Sequence, residues 1–321
     1  MGRKQKGLLY ALAAAFFFCF TEVCMKKIGG QLGGIQVTFS RYILAGILLL
    51  PLARRELRRR HTSVSLAQFW EMNLLGLWGV VLVAPFYQTG TVMLGAGISS
   101  VLFSINPLCV ALMAALLLGE PVRLRQKQGL ALQVIAIFVL VNPLESYLDP
   151  VGLLILFLSV FFYSLYAVRG RRLSSELGSL VMTCGGFLCG GVQTAILAGL
   201  THISTVSFFL RQHDLAAFAD IPFFTGYTWD NLPWVLLLYI GVTIFAFLCW
   251  FYAMDCGGTA LGNLTYFFKP ILSPLLAIVF VGETITGRML CGMGLMLAGA
   301  LVCLLPEKNK GNKAESLADH A

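Results

Sequence analysis

Two stretches, SINPLCVALMAALLLGEPV (Ser104–Val122) and FKPILSPLLAIVFVGETI (Phe268–Ile285), decide the fold because they are two copies of one pattern. Residues 102–143 align with residues 265–306 at a constant shift of 163 positions, without a gap. In a membrane protein such a repeat predicts two halves that enclose a substrate pathway. The shared residues that are rare in an apolar chain are Pro107 and Pro270, Gly119 and Gly282, and Glu120 and Glu283.

The composition indicates an integral membrane protein. Hydrophobic residues make up 58% of the 321 positions and charged residues only 12%, against about 25% charged in soluble domains. The net charge of +8 lies in short basic clusters between apolar runs, which is typical of topology control and not of nucleic-acid binding. The nine cysteines show no metal-binding spacing, so we interpret them as packing residues. The first apolar run lacks a cleavage site and is expected to be an anchor helix.

Ten apolar runs are long enough to cross a membrane as helices, since a crossing needs about 20 residues. The runs are continuous and not alternating, which excludes membrane strands. The predicted spans are approximately 7–25, 34–53, 68–92, 98–118, 128–144, 151–169, 178–199, 234–254, 260–281 and 288–306.

The basic residues orient these spans. Of the 23 lysines and arginines, 17 fall on the side of the N-terminus and 4 on the other side. The positive-inside rule therefore predicts that both termini, with residues 54–61 and the tail 307–321, are cytoplasmic. Each half, 7–144 and 151–306, has five spans, so the second half is inverted relative to the first. An external insertion at about 201–233 is interpreted either as a lid or as an ornament, that is, an added segment without a functional role. The second interpretation is favoured.

The ten spans, the inverted five-helix repeat and the Pro…Gly-Glu pattern together resemble the EamA-like branch of the drug/metabolite transporter superfamily. The resemblance covers about residues 7–306. It implies a transporter, but the superfamily moves many substrate classes, from amino acids and sugars to cations and phosphorylated metabolites. Arg41 resembles an arginine that is frequent at that place in the family, and Lys269 departs from the repeat because Asn106 occupies the equivalent position.

The prolines of the repeat are candidates for gating. Pro107 and Pro270 lack an amide hydrogen, so the carbonyls of Phe103 and Tyr266 lose their usual helical partners. Free carbonyls at membrane depth are tolerated where they line a cavity. We expect two kinked helices that border a central site, with packing kinks as the alternative.

Lys269 is the candidate for substrate binding. It lies near the bilayer midplane, where a cation costs at least about 2.5–3.5 kcal/mol unless it meets an anion or water. No acidic residue at that depth suggests itself as a permanent partner, so we expect an anionic substrate, a role in proton coupling, or a structural ion pair. Tyr266, one turn earlier, is the aromatic residue that we most expect to line a cavity. The difference between Lys269 and Asn106 at the equivalent position is a candidate source of specificity.

Glu22 and Arg41 flank a short external turn and are expected at comparable depth. A structural salt bridge between them, snorkelling of the arginine and substrate contact all remain open. Glu120 and Glu283 follow glycines that should end their helices, and each glutamate is expected to sit at the positive start of the next helix.

We predict a secondary transporter or exporter of a small polar metabolite in the plasma (inner) membrane, working by alternating access. The alternatives are a lipid-linked headgroup flippase and a membrane-embedded enzyme or receptor. The chain has no metalloprotease, Ser-His-Asp or nucleotide-binding motif, so neither catalysis nor a cofactor or metal is expected. The expected partners are a small molecule, the lipid bilayer and a possible second copy of the chain, but no nucleic acid.

Overall fold

A computed structural model describes residues 2–121, 124–141, 148–213 and 218–304, of which 3, 4, 141, 257–267, 303 and 304 are described by their backbone alone. Helices are the only long elements of this described part, as predicted. The predicted tail 307–321 lies outside it. In order, the α-helices are α1 (Arg3–Phe18), α2 (Thr21–Ile28), α3 (Gly34–Arg59), α4 (Leu66–Gly76), α5 (Val83–Leu94), α6 (Ala96–Phe103), α7 (Asn106–Leu118), α8 (Leu124–Val141), α9 (Pro150–Leu177), α10 (Ser179–Leu200), α11 (Ser204–Gln212), α12 (Leu232–Leu236), α13 (Ala246–Val281) and α14 (Gly287–Leu304).

Seven helices of the described part are long and apolar enough to span a membrane. They match the predicted spans one to four and six to eight. The other three predicted spans coincide with α8, with the apolar segment Phe268–Val281 of α13, and with α14. The number of crossings and the side of each terminus stay predictions. The seven helices are Gln5–Ile28, Gly34–Arg59, Leu66–Leu94, Ala96–Leu118, Pro150–Leu177, Ser179–Leu200 and Leu232–Cys256.

The eighth and ninth predicted spans run side by side in opposite directions. The ring centroids of Trp234 and Phe280 lie 5.6 Å apart, although 46 positions separate the two residues. A straight helix would place them about 69 Å apart at 1.5 Å per residue. The chain between these two residues therefore reverses its direction, and the end of α13 lies close to α12.

The two halves share local features that the sequence repeat predicts. Gly119 and Gly282 end α7 and α13 in the left-handed conformation, with φ of 67° and 78°, which glycine adopts without steric cost. Both predicted helix ends are thus confirmed. A π-helical segment also occurs in the third span of each half, at Leu77–Leu82 and at Leu237–Phe245.

The interruptions of the helices differ between the halves. The first span is broken at residues 19–20, between α1 and α2. The fourth is broken at residues 104–105, so that Pro107 lies in the first turn of α7. Pro270 lies inside α13, where the helix continues through it. The helix is therefore interrupted before Pro107, whereas it continues through Pro270 and Pro274. The expectation of two kinked helices that border a central site stays a prediction.

The insertion at about 201–233, which is predicted to be external, is docked onto the helices. Gln36 of α3 donates from Nε2 to the carbonyl of Thr225 at 2.7 Å, and the Tyr227 hydroxyl donates to Ser40 Oγ at 3.0 Å. Within the insertion, Arg211 lies 2.7 Å from Asp220. The hydrogen bond from this guanidinium holds the pKa of the Asp220 carboxyl below its usual value. The segment thus covers the predicted external end of α3.

Candidate functional site

Glu22 occupies the first turn of α2, directly after the break in the first span, and its side chain is fully buried. The free amides of a helix start carry a partial positive charge, which stabilises a carboxylate there. The break therefore creates a place for a buried anion inside an apolar segment. Broken helices are used in this way at the binding sites of many secondary transporters.

The carboxylate of Glu22 is held by three side chains from elsewhere in the chain. Lys269 Nζ lies 2.7 Å from Oε1, and the Tyr87 hydroxyl donates to the same oxygen. Ser273 donates from Oγ to Oε2 at 2.9 Å. Because Ser273 lies one turn after Lys269 on α13, one face of that helix supplies two of the three partners.

Two aromatic rings enclose the lysine. Lys269 Nζ lies 5.4 Å from the centroid of the Tyr87 ring and 5.0 Å from that of Phe103. It also donates to the Tyr87 hydroxyl at 3.2 Å. The two rings are themselves 4.0 Å apart. The ammonium group is thus stabilised by a carboxylate and by the negative faces of the rings.

These contacts correct two expectations from the sequence. The expectation that Lys269 has no permanent protein partner is wrong, because Glu22 provides one. The suggested salt bridge between Glu22 and Arg41 is also not formed in the described part of the chain, because Lys269, Tyr87 and Ser273 bind the carboxylate instead. The cause is the packing of α1 and α2 against α13, which brings the first and ninth spans together.

Arg41, on α3, is 6% exposed. It donates to the hydroxyl of its neighbour Tyr42, and its guanidinium carbon lies 4.5 Å from the centroid of that ring. Within the described part of the chain, its Nε has no hydrogen-bond partner. Its neighbour Ser40 contacts the Tyr239 hydroxyl at 2.6 Å. Arg41 therefore belongs to the same buried polar region but has no carboxylate of its own among the described residues.

The remaining predicted site residues are more scattered. Asn106 is fully buried at the start of α7, and neither the nitrogen nor the oxygen of its side-chain amide has a hydrogen-bond partner among the residues that the structure describes. Pro107 follows it, and Pro270 directly follows Lys269. The side chain of Tyr266 lies outside the described residues. Asn106 is thus not among the residues that hold Glu22, although the repeat relates it to Lys269.

Ser273 was missed by the sequence reasoning, and Tyr87 and Phe103 were not connected with Lys269. For Ser273 a signal existed, since a hydroxyl four positions after a buried lysine lies on the same helix face. Tyr87 and Phe103 come from other spans, and the sequence carries no local sign of that proximity.

The two repeat-related glutamates make different contacts. Glu283 accepts hydrogen bonds from the backbone amides of Ala96 at 2.6 Å and Gly97 at 2.9 Å, so it caps α6 of the other half. Glu120 instead pairs with Arg171 at 3.1 Å. The expectation that each glutamate serves the next helix is therefore wrong for Glu283. The tight corner brings it to a helix start in the opposite half.

Two cavities open on the side that the arginine distribution predicts to be cytoplasmic. One of about 450 Å³ is lined by Glu120, Pro121, Gln126 and Arg171, among others. The second, of about 460 Å³, lies between the end of α3 and the segment Leu248–Asp255. Neither is lined by Glu22 or Lys269. Among the described residues no group of three or more His, Cys, Asp and Glu side chains could hold a metal ion.

The comparison with protein families decides the class. The model of the EamA-like transporter family matches two stretches of the chain, residues 5–142 and 150–305. The chain belongs to the EamA-like transporter family. It is a multi-pass membrane protein of the drug/metabolite transporter group, and this EamA-like protein is accordingly a membrane transporter of small molecules.

Known relatives of this EamA-like protein agree with that class. An uncharacterized transporter from Clostridium kluyveri is 22% identical, with 98% of both chains covered. Protein PecM from Dickeya dadantii is 24% identical over 73% of each chain. A WAT1-related chloroplastic protein from Arabidopsis thaliana is 24% identical over 93% of this chain and 69% of its own. A solved crystal structure shares the fold with a TM-score of 0.63 at 20% identity, covering 95% of this chain and 98% of the other.

Proposed function

We propose that this EamA-like protein is a secondary transporter that exports or exchanges a small polar metabolite across the plasma membrane by alternating access between two inverted halves. The observation that carries the proposal is the unequal use of one repeated motif. Gly119-Glu120 and Gly282-Glu283 have the same sequence and the same left-handed glycine. Only the second glutamate caps a helix of the opposite half in the described residues.

This asymmetry is expected if the two repeats exchange conformations during transport, so that each glutamate caps the opposite half in only one of the two states. Continuing the shift of 163 positions to six residues before the aligned stretch relates Ala96 and Gly97, whose amides Glu283 binds, to residues 259 and 260. In the opposite conformation Glu120 would leave Arg171 and bind the amides of residues 259 and 260, while Glu283 would release α6. Each glutamate would then act as a latch, which is closed when its carboxylate binds backbone amides of the opposite half and open when it does not. The two latches would lie on opposite sides of the membrane.

The cavities and the two latches together suggest which side of the protein is open. The cavity lined by Glu120 and Arg171 lies on the predicted cytoplasmic side, where the latch is open. On the predicted external side the Glu283 latch is closed, and Ser99 and Ser100 behind it are fully buried. We therefore interpret the structure as a state that is closed on the predicted external side and more open on the predicted cytoplasmic side.

Cysteine accessibility tests the latch model. In protein whose nine native cysteines are replaced by alanine, Ser100→Cys places a reporter behind the Glu283 latch. Glu283→Ala should increase its labelling by a membrane-impermeant thiol reagent from outside. Glu120→Ala should decrease that labelling, because it weakens only the opposite state.

Glu176→Ala is the matched control. Glu176 forms a solvent-exposed ion pair with Arg172 at 2.9 Å, so its loss removes a surface carboxylate without touching a latch. The alternation of the two latches would be contradicted if Glu283→Ala and Glu120→Ala were labelled at the same rate as Glu176→Ala.

A further inference from the structure

We infer that the substrate carries an anionic group, a carboxylate or a phosphate, and that Arg41 is the residue that binds it. The inference rests on the proposed transport function and adds the chemical class of the substrate. It also moves the binding role from Lys269, where the sequence placed it, to an arginine on α3.

The charges of the buried region do not cancel. Glu22 and Lys269 neutralise each other at 2.7 Å, whereas Arg41 has no acidic partner among the described residues. Arg41 lies seven positions after the start of α3, about 10 Å along the helix. An arginine does not lose its proton in a protein. One positive charge therefore remains in a low-dielectric setting, where a counter-anion is strongly favoured.

The hydrogen-bonding capacity of Arg41 is also largely unused. A guanidinium has five N–H donors in a planar fork that suits a carboxylate or a phosphate. Within the described residues its one hydrogen bond goes to the Tyr42 hydroxyl, and Nε has no partner. The guanidinium carbon also lies 4.5 Å from the centroid of the Tyr42 ring, a cation–π contact that helps to hold the group in place. Among the described residues, Arg41 is thus a buried donor group whose only acceptor is the Tyr42 hydroxyl.

A group of hydroxyls lies in the same region. Ser40 Oγ and the Tyr239 hydroxyl are 2.6 Å apart, and the Tyr227 hydroxyl lies 3.0 Å from the former and 3.2 Å from the latter. Ser40 directly precedes Arg41 on α3. The tyrosine hydroxyls can donate to an anion that Arg41 holds. Because Tyr227 belongs to the external insertion, that segment would then close the site from outside.

Lys269 is a poorer candidate because its contacts are already made. Glu22, the Tyr87 hydroxyl and two aromatic faces surround its ammonium group. Binding a substrate anion would require the lysine to share or leave Glu22. We therefore assign Lys269 the role of holding Glu22 and Arg41 that of binding the substrate.

Binding to matched compounds tests the inference. Purified protein in detergent is titrated with glutamate and glutamine, succinate and succinamide, and glucose 6-phosphate and glucose, with the melting of tryptophan fluorescence as the readout. At least one anion should raise the melting temperature of the wild type, while its neutral analogue should not. Because hydrogen bonds to charged groups contribute about 1.5–3 kcal/mol, Arg41→Gln should lower the affinity for that anion by at least about tenfold.

Two further variants keep the test decisive if Arg41→Gln does not fold. Arg41→Lys retains the charge but not the fork, so it should bind the same anion measurably more weakly than the wild type. Arg172→Gln removes an exposed arginine outside the buried region, so it should bind the anion as the wild type does. No stabilisation by any anion, or an affinity that is unchanged in Arg41→Lys and Arg41→Gln, would overturn the inference.

Transport measurements separate this inference from the function it rests on. Transport of a neutral or cationic compound by both the wild type and Arg41→Gln would leave the transporter intact and refute the anion site. Binding of an anion that depends on Arg41, without any transport in proteoliposomes, would support the site and contradict the proposed function.

Discussion

The ammonium group of Lys269 lies 2.7 Å from a carboxylate oxygen of Glu22, although 247 positions separate the two residues in the chain. The contact joins the broken first span to the ninth, and Tyr87 and Ser273 complete it. It is therefore a long-range tie between the two predicted halves. Its energetic role can be measured without knowing the substrate.

Lys269→Met should destabilise the protein by about 3–5 kcal/mol, because it leaves a buried carboxylate without its cation. Adding Glu22→Gln should restore much of that loss, since the double variant buries no charge at this place. Unfolding curves in detergent for the four proteins give the coupling energy. Lys27→Met, at an exposed lysine, is the control and should have little effect. Purely additive losses in the double variant would show that the pair is not coupled.

The sequence predicts the helical class, the two left-handed glycines and the interruption before Pro107, because each depends on local chemistry that recurs in the repeat. It could not predict the partner of Lys269. That pairing needs the packing of α1 and α2 on α13, where Phe20 and Phe280 come within 5.6 Å, and such contacts leave no local sequence signal. The Glu283 cap on α6 escaped prediction for the same reason, since its partners lie in the other half.

Gly95→Ala should open the Glu283 latch. Gly95 has φ of 93°, and a Cβ there would lie 2.9 Å from Oε1 of Glu283. The variant should increase external labelling of Ser100→Cys and cost about 1–2 kcal/mol of stability through backbone strain. Gly119→Ala is the control, because its φ is 67° but no atom lies within 4 Å of the added Cβ. Equal labelling in both variants would mean that strain alone, and not the latch, controls access.

Pro107→Ala should slow transport more than it lowers stability. Alanine restores the amide that the carbonyl of Phe103 lacks, so α6 and α7 can join into one continuous helix. Transport rates in proteoliposomes and melting temperatures in detergent measure the two effects. Pro51→Ala, at an exposed proline inside α3, should change neither strongly. A normal transport rate in Pro107→Ala would make the break a packing feature.

Residue 213 should face the outside and residue 58 the cytoplasm. The arginine and lysine distribution requires this orientation, and the exposure of both residues makes them suitable labelling sites. In cells that express His213→Cys or Arg58→Cys in the cysteine-free protein, an impermeant reagent added outside should label only the former. Labelling of position 58 alone would reverse the topology and with it the assignment of the open side.

Counterflow in sealed proteoliposomes tests the central claim most directly. Vesicles that contain the wild-type protein are preloaded with an unlabelled metabolite from a chemically diverse panel and then diluted into a trace of its labelled form. We predict transient accumulation of the labelled form for at least one small polar compound, and its loss in Glu283→Ala and in Glu120→Ala but not in Glu176→Ala. Folded, inserted protein that accumulates no compound, while it moves a fluorescent lipid between the leaflets, would contradict the account and support the flippase.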